Sequence, residues 1–227
     1  CLIKPGKRGI CGVRKNISGT LYSEVYGQPI AMHPDPVEKK PLYHFYPGKT
    51  ILSIGTIGCN LKCFYCQNCD ISMATPDTMK SNIRKSPESL VDMARNSPGN
   101  IGIAYTYNEP TIYFEYMYDT AVLVKENGLK NVVVTNGFIN MDPLKTLFEV
   151  ADAFNVDIKA FTEDFYRKHT KSSLKPVLEC ISEIAKKGKH LELTNLVIPG
   201  LNDDPQEFAE MISWIEKETG ANTPLHL

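Results

Sequence analysis

From residue 50 onward the chain alternates between short apolar runs and longer stretches whose apolar positions recur at helical spacing. The runs at 50–56, 101–106, 131–135, 155–159, 190–198 and 224–227 read as strands. Asn131-Val132-Val133-Val134-Thr135 is nearly all apolar, as strands covered on both faces are. Between the strands, Ser86-Pro87-Glu88 supplies an N-cap, a proline at the first helical position and an acid in the first turn. That helix carries Leu90, Val91 and Ala94 on one face and stops at Asn96-Ser97-Pro98-Gly99. A helix over 110–126 ends at Gly128. Asp142-Pro143 opens another, with Leu144, Leu147, Phe148 and Ala151 at helical spacing. Residues 173–187 turn Val177, Leu178, Ile181, Ile184 and Ala185 inward before Gly188. Asp204 and Glu207 have capping-box spacing ahead of Phe208, Met211, Ile212 and Ile215.

Strand–helix alternation with right-handed crossovers gives a parallel sheet. The expected fold class is α/β: a partial (β/α)6 TIM-like barrel of parallel strands, or an open sheet of the same units. Either way, catalytic groups belong in the loops after the carboxyl ends of the strands. Residues 1–49 hold six glycines and several prolines outside the alternation. They read as an N-terminal loop-and-hairpin extension packed on a barrel domain over 50–227. Cys1 stands where a nascent chain has Met, and Pro224-Leu225-His226-Leu227 looks like the middle of a strand. The barrel therefore reads as truncated at its C-terminus, and the sequence as part of a longer protein.

Composition narrows the function classes. With 42% hydrophobic and 22% charged residues, disordered and low-complexity classes are excluded. No apolar run approaches the roughly 18 residues of a membrane span. Lys+Arg 25 against Asp+Glu 26 argues against a nucleic-acid binder. The seven cysteines are odd in number, and no export signal precedes them. Metal-bound thiolates in a reducing cytoplasm fit better than a disulfide framework. Cys180 lies in an apolar helical stretch and reads as a buried, inert thiol.

The chemistry concentrates in Gly58-Cys59-Asn60-Leu61-Lys62-Cys63-Phe64-Tyr65-Cys66-Gln67-Asn68-Cys69, directly after the first strand. Cys59, Cys63 and Cys66 are spaced Cys-x3-Cys-x2-Cys, and three thiolates this close can hold three corners of a 4Fe–4S cluster. The fourth iron then has no protein ligand, which is the open position a catalytic metal needs. A zinc site using Cys69 as well is the alternative, since four thiolates suit zinc too.

This loop resembles that of the radical S-adenosylmethionine (SAM) enzymes, in which SAM chelates the open iron and is cleaved to a 5′-deoxyadenosyl radical that abstracts hydrogen from a substrate. Tyr65, the aromatic before the last cysteine, matches the family, whose fold is a partial (β/α) barrel. Thr106-Tyr107-Asn108-Glu109-Pro110 occupies the place of the family's Gly-Gly-Glu-Pro motif, with Tyr107-Asn108 for the two glycines. Thr135-Asn136-Gly137 resembles a loop of the pyruvate formate-lyase activating-type enzymes; Val134 stands where an acid helps bind a cation, so no cation site is carried over. Asp157 and Lys159 match an Asp-x-Lys that suits a zwitterionic methionine moiety. Leu196, in Leu193-Thr194-Asn195-Leu196-Val197-Ile198-Pro199-Gly200, matches a position packing on the adenine.

Together with Cys11-Gly12-Val13-Arg14 and the run from Asp35 to Phe45, these motifs are most similar to the radical SAM member of the AmmeMemoRadiSam group. The resemblance implies that Cys59, Cys63 and Cys66 hold the cluster. It also implies that Tyr65, Asn68, Asn108, Glu109, Thr135, Asp157, Lys159 and Leu196 form the SAM pocket. It implies a ferredoxin or flavodoxin as low-potential electron donor and a glycine of a partner protein as hydrogen donor. The alternatives are radical modification of a small molecule, peptide or tRNA, and a zinc-stabilised scaffold that binds proteins. Cys69 reads as a spare loop thiol. Cys1 and Cys11 are remnants of an N-terminal metal-binding set or ordinary thiols. Lys39, Lys40 and His44 either border the substrate entrance or form a solvated charge run beside an aromatic patch.

Overall fold

A computed structural model describes residues 2–227, so the reading of Cys1 lies outside the described residues. β1 (Arg14–Ile17) and β2 (Thr20–Ser23) form a separate hairpin. The main sheet runs in sequence order. β3 (Ala31–Pro36) lies antiparallel to β4 (Thr50–Gly55). Then come β5 (Asn100–Tyr105), β6 (Lys130–Thr135), β7 (Ala153–Asp157), β8 (His190–Thr194) and β9 (Leu225–His226), each parallel to the strand before. Six parallel strands make the α/β partial barrel, and β3 and β9 are its unpaired edges, so the sheet is not closed.

The helices are α1 (Cys69–Ser72), α2 (Pro87–Arg95), α3 (Phe114–Glu126), α4 (Met141–Leu147), α5 (Glu163–Phe165), α6 (Leu174–Lys186) and α7 (Pro205–Thr219). Ser86 caps α2 through the amide of Ser89, and Asp204 Oδ1 caps α7 through the amides of Gln206 and Glu207 at 2.9 and 3.0 Å. The capping box at α7 is not reciprocal, because the Glu207 carboxylate accepts from the Phe161 amide instead. Ser173 makes no side-chain cap on α6; Glu163, across the π-helical turn of Tyr166–Thr170, accepts from the Leu174 and Lys175 amides at 3.1 Å each. The expected helix over 110–126 divides into a 3-10 turn at Pro110–Tyr113 and α3.

β8 stops at Thr194, short of the expected 198. Beyond it, Asn202 takes over the backbone: its Oδ1 accepts from Ile198 N at 2.6 Å and its Nδ2 donates to Leu196 O at 3.0 Å. Asn195 N still donates to His226 O of β9 at 2.8 Å, but from Leu196 to Ile198 the Asn202 side chain, not a neighbouring strand, takes backbone groups. β7 spans 153–157 rather than 155–159, so Lys159 lies past the strand end.

Alternation along the strands separates two cores. Leu52, Ile54, Ile103, Tyr105, Val133, Phe154 and Val156 face the helices, and buried Cys180 and Cys11 belong to that core. Ile51, Ala104, Val132 and Ala153 face inward and pack around Val37, Leu42 and Phe45. The N-terminal segment thus supplies an edge strand and fills the barrel beneath its mouth. Lys40 belongs to this filling and is only 2% exposed, unlike a solvated charge run. Its Nζ donates to Asp35 Oδ2 at 2.7 Å, while exposed Lys39 donates to Oδ1 at 2.9 Å. At the other side, Glu192 of β8 accepts from the amides of Tyr43 and His44 at 3.0 and 2.9 Å. The imidazoles of His44, His190 and His226 lie 3.3, 2.9 and 2.7 Å from its oxygens.

Candidate active site

The cysteine loop leaves the carboxyl end of β4 through Gly58, at φ +89°. A Cβ there would lie 2.5 Å from the Cys11 carbonyl oxygen and 2.8 Å from Val13 Cγ1, so only glycine lets the loop start this close to the N-terminal segment. Cys63 is buried, Cys59 and Cys66 are half-buried and Cys69 is exposed. Cys59 Sγ accepts from Leu61 N at 3.4 Å, and Cys66 Sγ lies 3.2 Å from Ser72 Oγ. Cys69 Sγ is turned to Asp70 Oδ1, 3.8 Å away. Among the described residues no three His, Cys, Asp or Glu groups are already gathered closely enough to hold a metal ion, whether zinc or iron.

Burial pushes the Cys59 thiol up to about 12, with the Glu109 charge adding to it. Burial also raises Cys63, against the pull of the Lys159 ammonium. Lys159 Nζ pairs with Asp157 Oδ2 at 2.8 Å. Burial works against the Lys159 charge, yet Asp157, Cys63 and Cys59 together hold its pKa above the usual lysine value. The Lys159 amide donates to the Tyr166 hydroxyl at 3.0 Å, which fixes the residue beyond the end of β7.

Glu109 ties two strand-end loops together. Its carboxylate accepts from Thr135 Oγ1 at 2.9 and 3.0 Å, from Asn136 N at 2.8 Å and from Thr111 N at 3.0 Å. Burial raises its pKa despite those donors. Asn108 Nδ2 reaches back to the Gly58 carbonyl at 2.8 Å, and Asn68 Nδ2 donates to the Tyr107 carbonyl at 2.7 Å. The loop after β5 therefore grips the cysteine loop at both ends. Gly55 makes room for it: a Cβ there would sit 2.6 Å from Thr106 O. Tyr107, at φ +69°, adopts a left-handed backbone that glycine would take freely and that costs a side-chain-bearing residue about 1–3 kcal/mol.

Sequence reasoning left out Asn60 and Asn136, although Asn136 lies in the quoted Thr-Asn-Gly. Asn136 Nδ2 donates to Asn60 Oδ1 at 2.8 Å, and Asn60 Nδ2 donates to Phe138 O at 2.8 Å. Leu196 stands apart from the other candidates, 41% exposed beyond β8. Three buried polar atoms with no hydrogen-bond partner lie in these strand-end segments: Tyr65 Oη, Asn108 Oδ1 and Asn195 Oδ1. Arg14, Ser23, Ser53 and Asn100 hold such atoms too, and each calls for a partner such as a ligand, an ion or a water.

Residues 53–213 match the Radical SAM superfamily. The chain belongs to the radical SAM superfamily. Superfamily members use a 4Fe–4S cluster and SAM, and the three-thiol loop with its orphaned neighbours fits both groups. The chain is 46% identical over its whole length to the uncharacterized protein MJ0808 of Methanocaldococcus jannaschii, of which it spans 66%. It is 26% identical over 170 residues to the pyruvate formate-lyase 1-activating enzyme of Escherichia coli K12, covering 70% of this chain and 68% of that one. Streptococcus suis SuiB bound to S-adenosylmethionine shares the fold, with TM-score 0.57 and 13% identity over 74% of this chain and 39% of that one. No helix among the described residues is long and apolar enough to cross a membrane.

Proposed function

We propose that this radical SAM chain is an activating-type enzyme that abstracts hydrogen from a glycyl residue of a partner protein. Cys59, Cys63 and Cys66 hold the cluster, and a ferredoxin or flavodoxin in a reducing cytoplasm supplies its electron. When bound, the cluster and SAM supply reductive cleavage to methionine and a 5′-deoxyadenosyl radical, the agent of hydrogen abstraction. The chain's residues bind, orient and exclude water.

Lys159 and Asp157 offer both signs to the zwitterionic methionine end of SAM. Glu109 accepts two contacts on each oxygen, from Thr111, Thr135 and Asn136, and its carboxylate is the acidic group offered to the ammonium of SAM. Thr135 holds Glu109 in that orientation. Asn108 and Asn68 fix the loop against the cysteines, Tyr65 closes the site beside Cys63, and Leu196 lies ready for the adenine face. The similarity to a pyruvate formate-lyase activating enzyme supports the glycyl substrate.

The observation that carries the chemistry is the cysteine loop: Cys59, Cys63 and Cys66 fall within eight residues after the carboxyl end of β4, and Cys69 beside them is exposed. The test is anaerobic reconstitution with iron and sulfide, then dithionite and SAM, with 5′-deoxyadenosine read by mass spectrometry. Formation well above a Cys59→Ala control is expected; none above that control refutes the enzyme reading. Incubation with candidate partner proteins, read as a glycyl-radical electron paramagnetic resonance doublet, tests the substrate.

A further inference from the structure

We propose that Tyr107 is a positioning residue for SAM, and that the N-terminal segment, through Asp35, sets the geometry of the loop that receives it. The proposal rests on the radical SAM reading of the site. Tyr107 stands where the related motif has glycine, yet it keeps a glycine-like backbone at φ +69°. Left to itself, a tyrosine would relax such a loop toward the right-handed region. Its side chain prevents this. The phenol hydroxyl donates to Asp35 Oδ2 at 2.7 Å. Lys40 Nζ sits 5.0 Å over the ring centroid and donates to that same oxygen. His33 meets the ring edge-on at 6.2 Å.

Asp35 is itself fixed. It is 5% exposed and held by Lys39, Lys40 and Tyr107 together. From this anchor the backbone of Tyr107 passes directly to the site: its carbonyl accepts from Asn68 of the cysteine loop, and the next residue grips Gly58. One tyrosine thus links edge strand β3, the barrel filling, the loop after β5 and the cysteine loop. A two-glycine loop has no side chain to hold it in this way. Here the loop is ordered before the ligand arrives, and pre-organisation of this kind raises affinity by removing an ordering cost. The anchor lies at residues 35–40, outside the stretch that matches the superfamily.

The test compares Tyr107→Phe, Asp35→Asn, their double variant and Tyr107→Gly with the parent protein. Hydrogen exchange of the metal-free chain reads the loop directly. In Tyr107→Phe the amides of residues 106–109 exchange about tenfold faster, while those of β6 are unchanged. In the reconstituted enzyme the KM for SAM rises about tenfold, and kcat at saturating SAM moves less than about twofold. Asp35→Asn gives the same shift, and the double variant adds nothing, because both remove one interaction. Tyr107→Gly also weakens SAM binding, although it relieves the backbone.

Loop exchange and KM within about twofold of the parent in Tyr107→Phe overturn the proposal. So does a Tyr107→Gly protein that binds SAM as tightly as the parent, or exchange that rises uniformly across the sheet with KM unchanged, which marks a merely structural role. If Asp35→Asn does not fold, Tyr107→Phe, which removes one oxygen, decides alone. A parent protein that makes no 5′-deoxyadenosine refutes the enzyme reading instead, and the exchange rates then judge the anchor by themselves.

Discussion

Replacing Glu192 by Gln measures how firmly the N-terminal filling is held in the barrel. The carboxylate is fully buried, and burial alone would raise its pKa. The His190 imidazole, the His44 amide, the His226 imidazole and the Tyr43 amide outweigh that and hold it down at about 2, against 4.5 for a free side chain. The gap corresponds to about 3.4 kcal/mol of preference for the ionised form in the folded state. The folded value lies below the unfolded one, so this stabilisation is complete well above pH 4.5 and is lost as pH falls from there toward 2. At pH 3.5 about 1.4 kcal/mol of it is gone. Glu192→Gln turns an acceptor into an NH2 group facing donors, so a loss of about 3 kcal/mol is expected at pH 7, narrowing to about 2 kcal/mol at pH 3.5. Urea unfolding followed by the fluorescence of the single tryptophan, Trp214, at both pH values is the assay. A variant within about 0.5 kcal/mol of the parent at pH 7, or a difference that ignores pH, refutes the clamp.

Cys69→Ser is expected to retain about four iron and four sulfide per chain after reconstitution, whereas Cys63→Ser loses most of both; metal and sulfide analysis decides. Gly55→Ala drives a Cβ to 2.6 Å from the Thr106 carbonyl oxygen, and should cost about 1–3 kcal/mol in urea unfolding and weaken SAM binding with it. Asp204→Ala removes two capping bonds at the start of α7 and should cost about 1 kcal/mol, with 5′-deoxyadenosine yield unchanged at 25 °C.

By itself the sequence determined the order of the six parallel strands and of the helices α2, α3, α4, α6 and α7 between them, though not α1, α5 or the π-helical turn; it also determined the caps at Ser86 and Asp204, the burial of Cys180, and the placing of Cys59, Glu109, Thr135 and Asp157 at strand ends. Each of these follows from residues a few positions apart: a repeat of two or 3.6, a cap beside its helix, three cysteines within one loop. The tertiary structure decided what those groups touch. The Tyr107–Asp35 bond joins residues 72 positions apart, and Glu192 meets Tyr43 across 149. Glu207, spaced to close a capping box with Asp204, is spent on the Phe161 amide instead, and Glu163 is spent on the amides that open α6. Lys40 reads as a surface charge until the filling of the barrel buries it. β8 looks long enough to reach residue 198, but the Asn202 side chain claims the backbone first. Periodicity reports which face of an element is apolar, while hydrogen-bond partners across the barrel depend on how the chain closes on itself, and no short window of residues carries that.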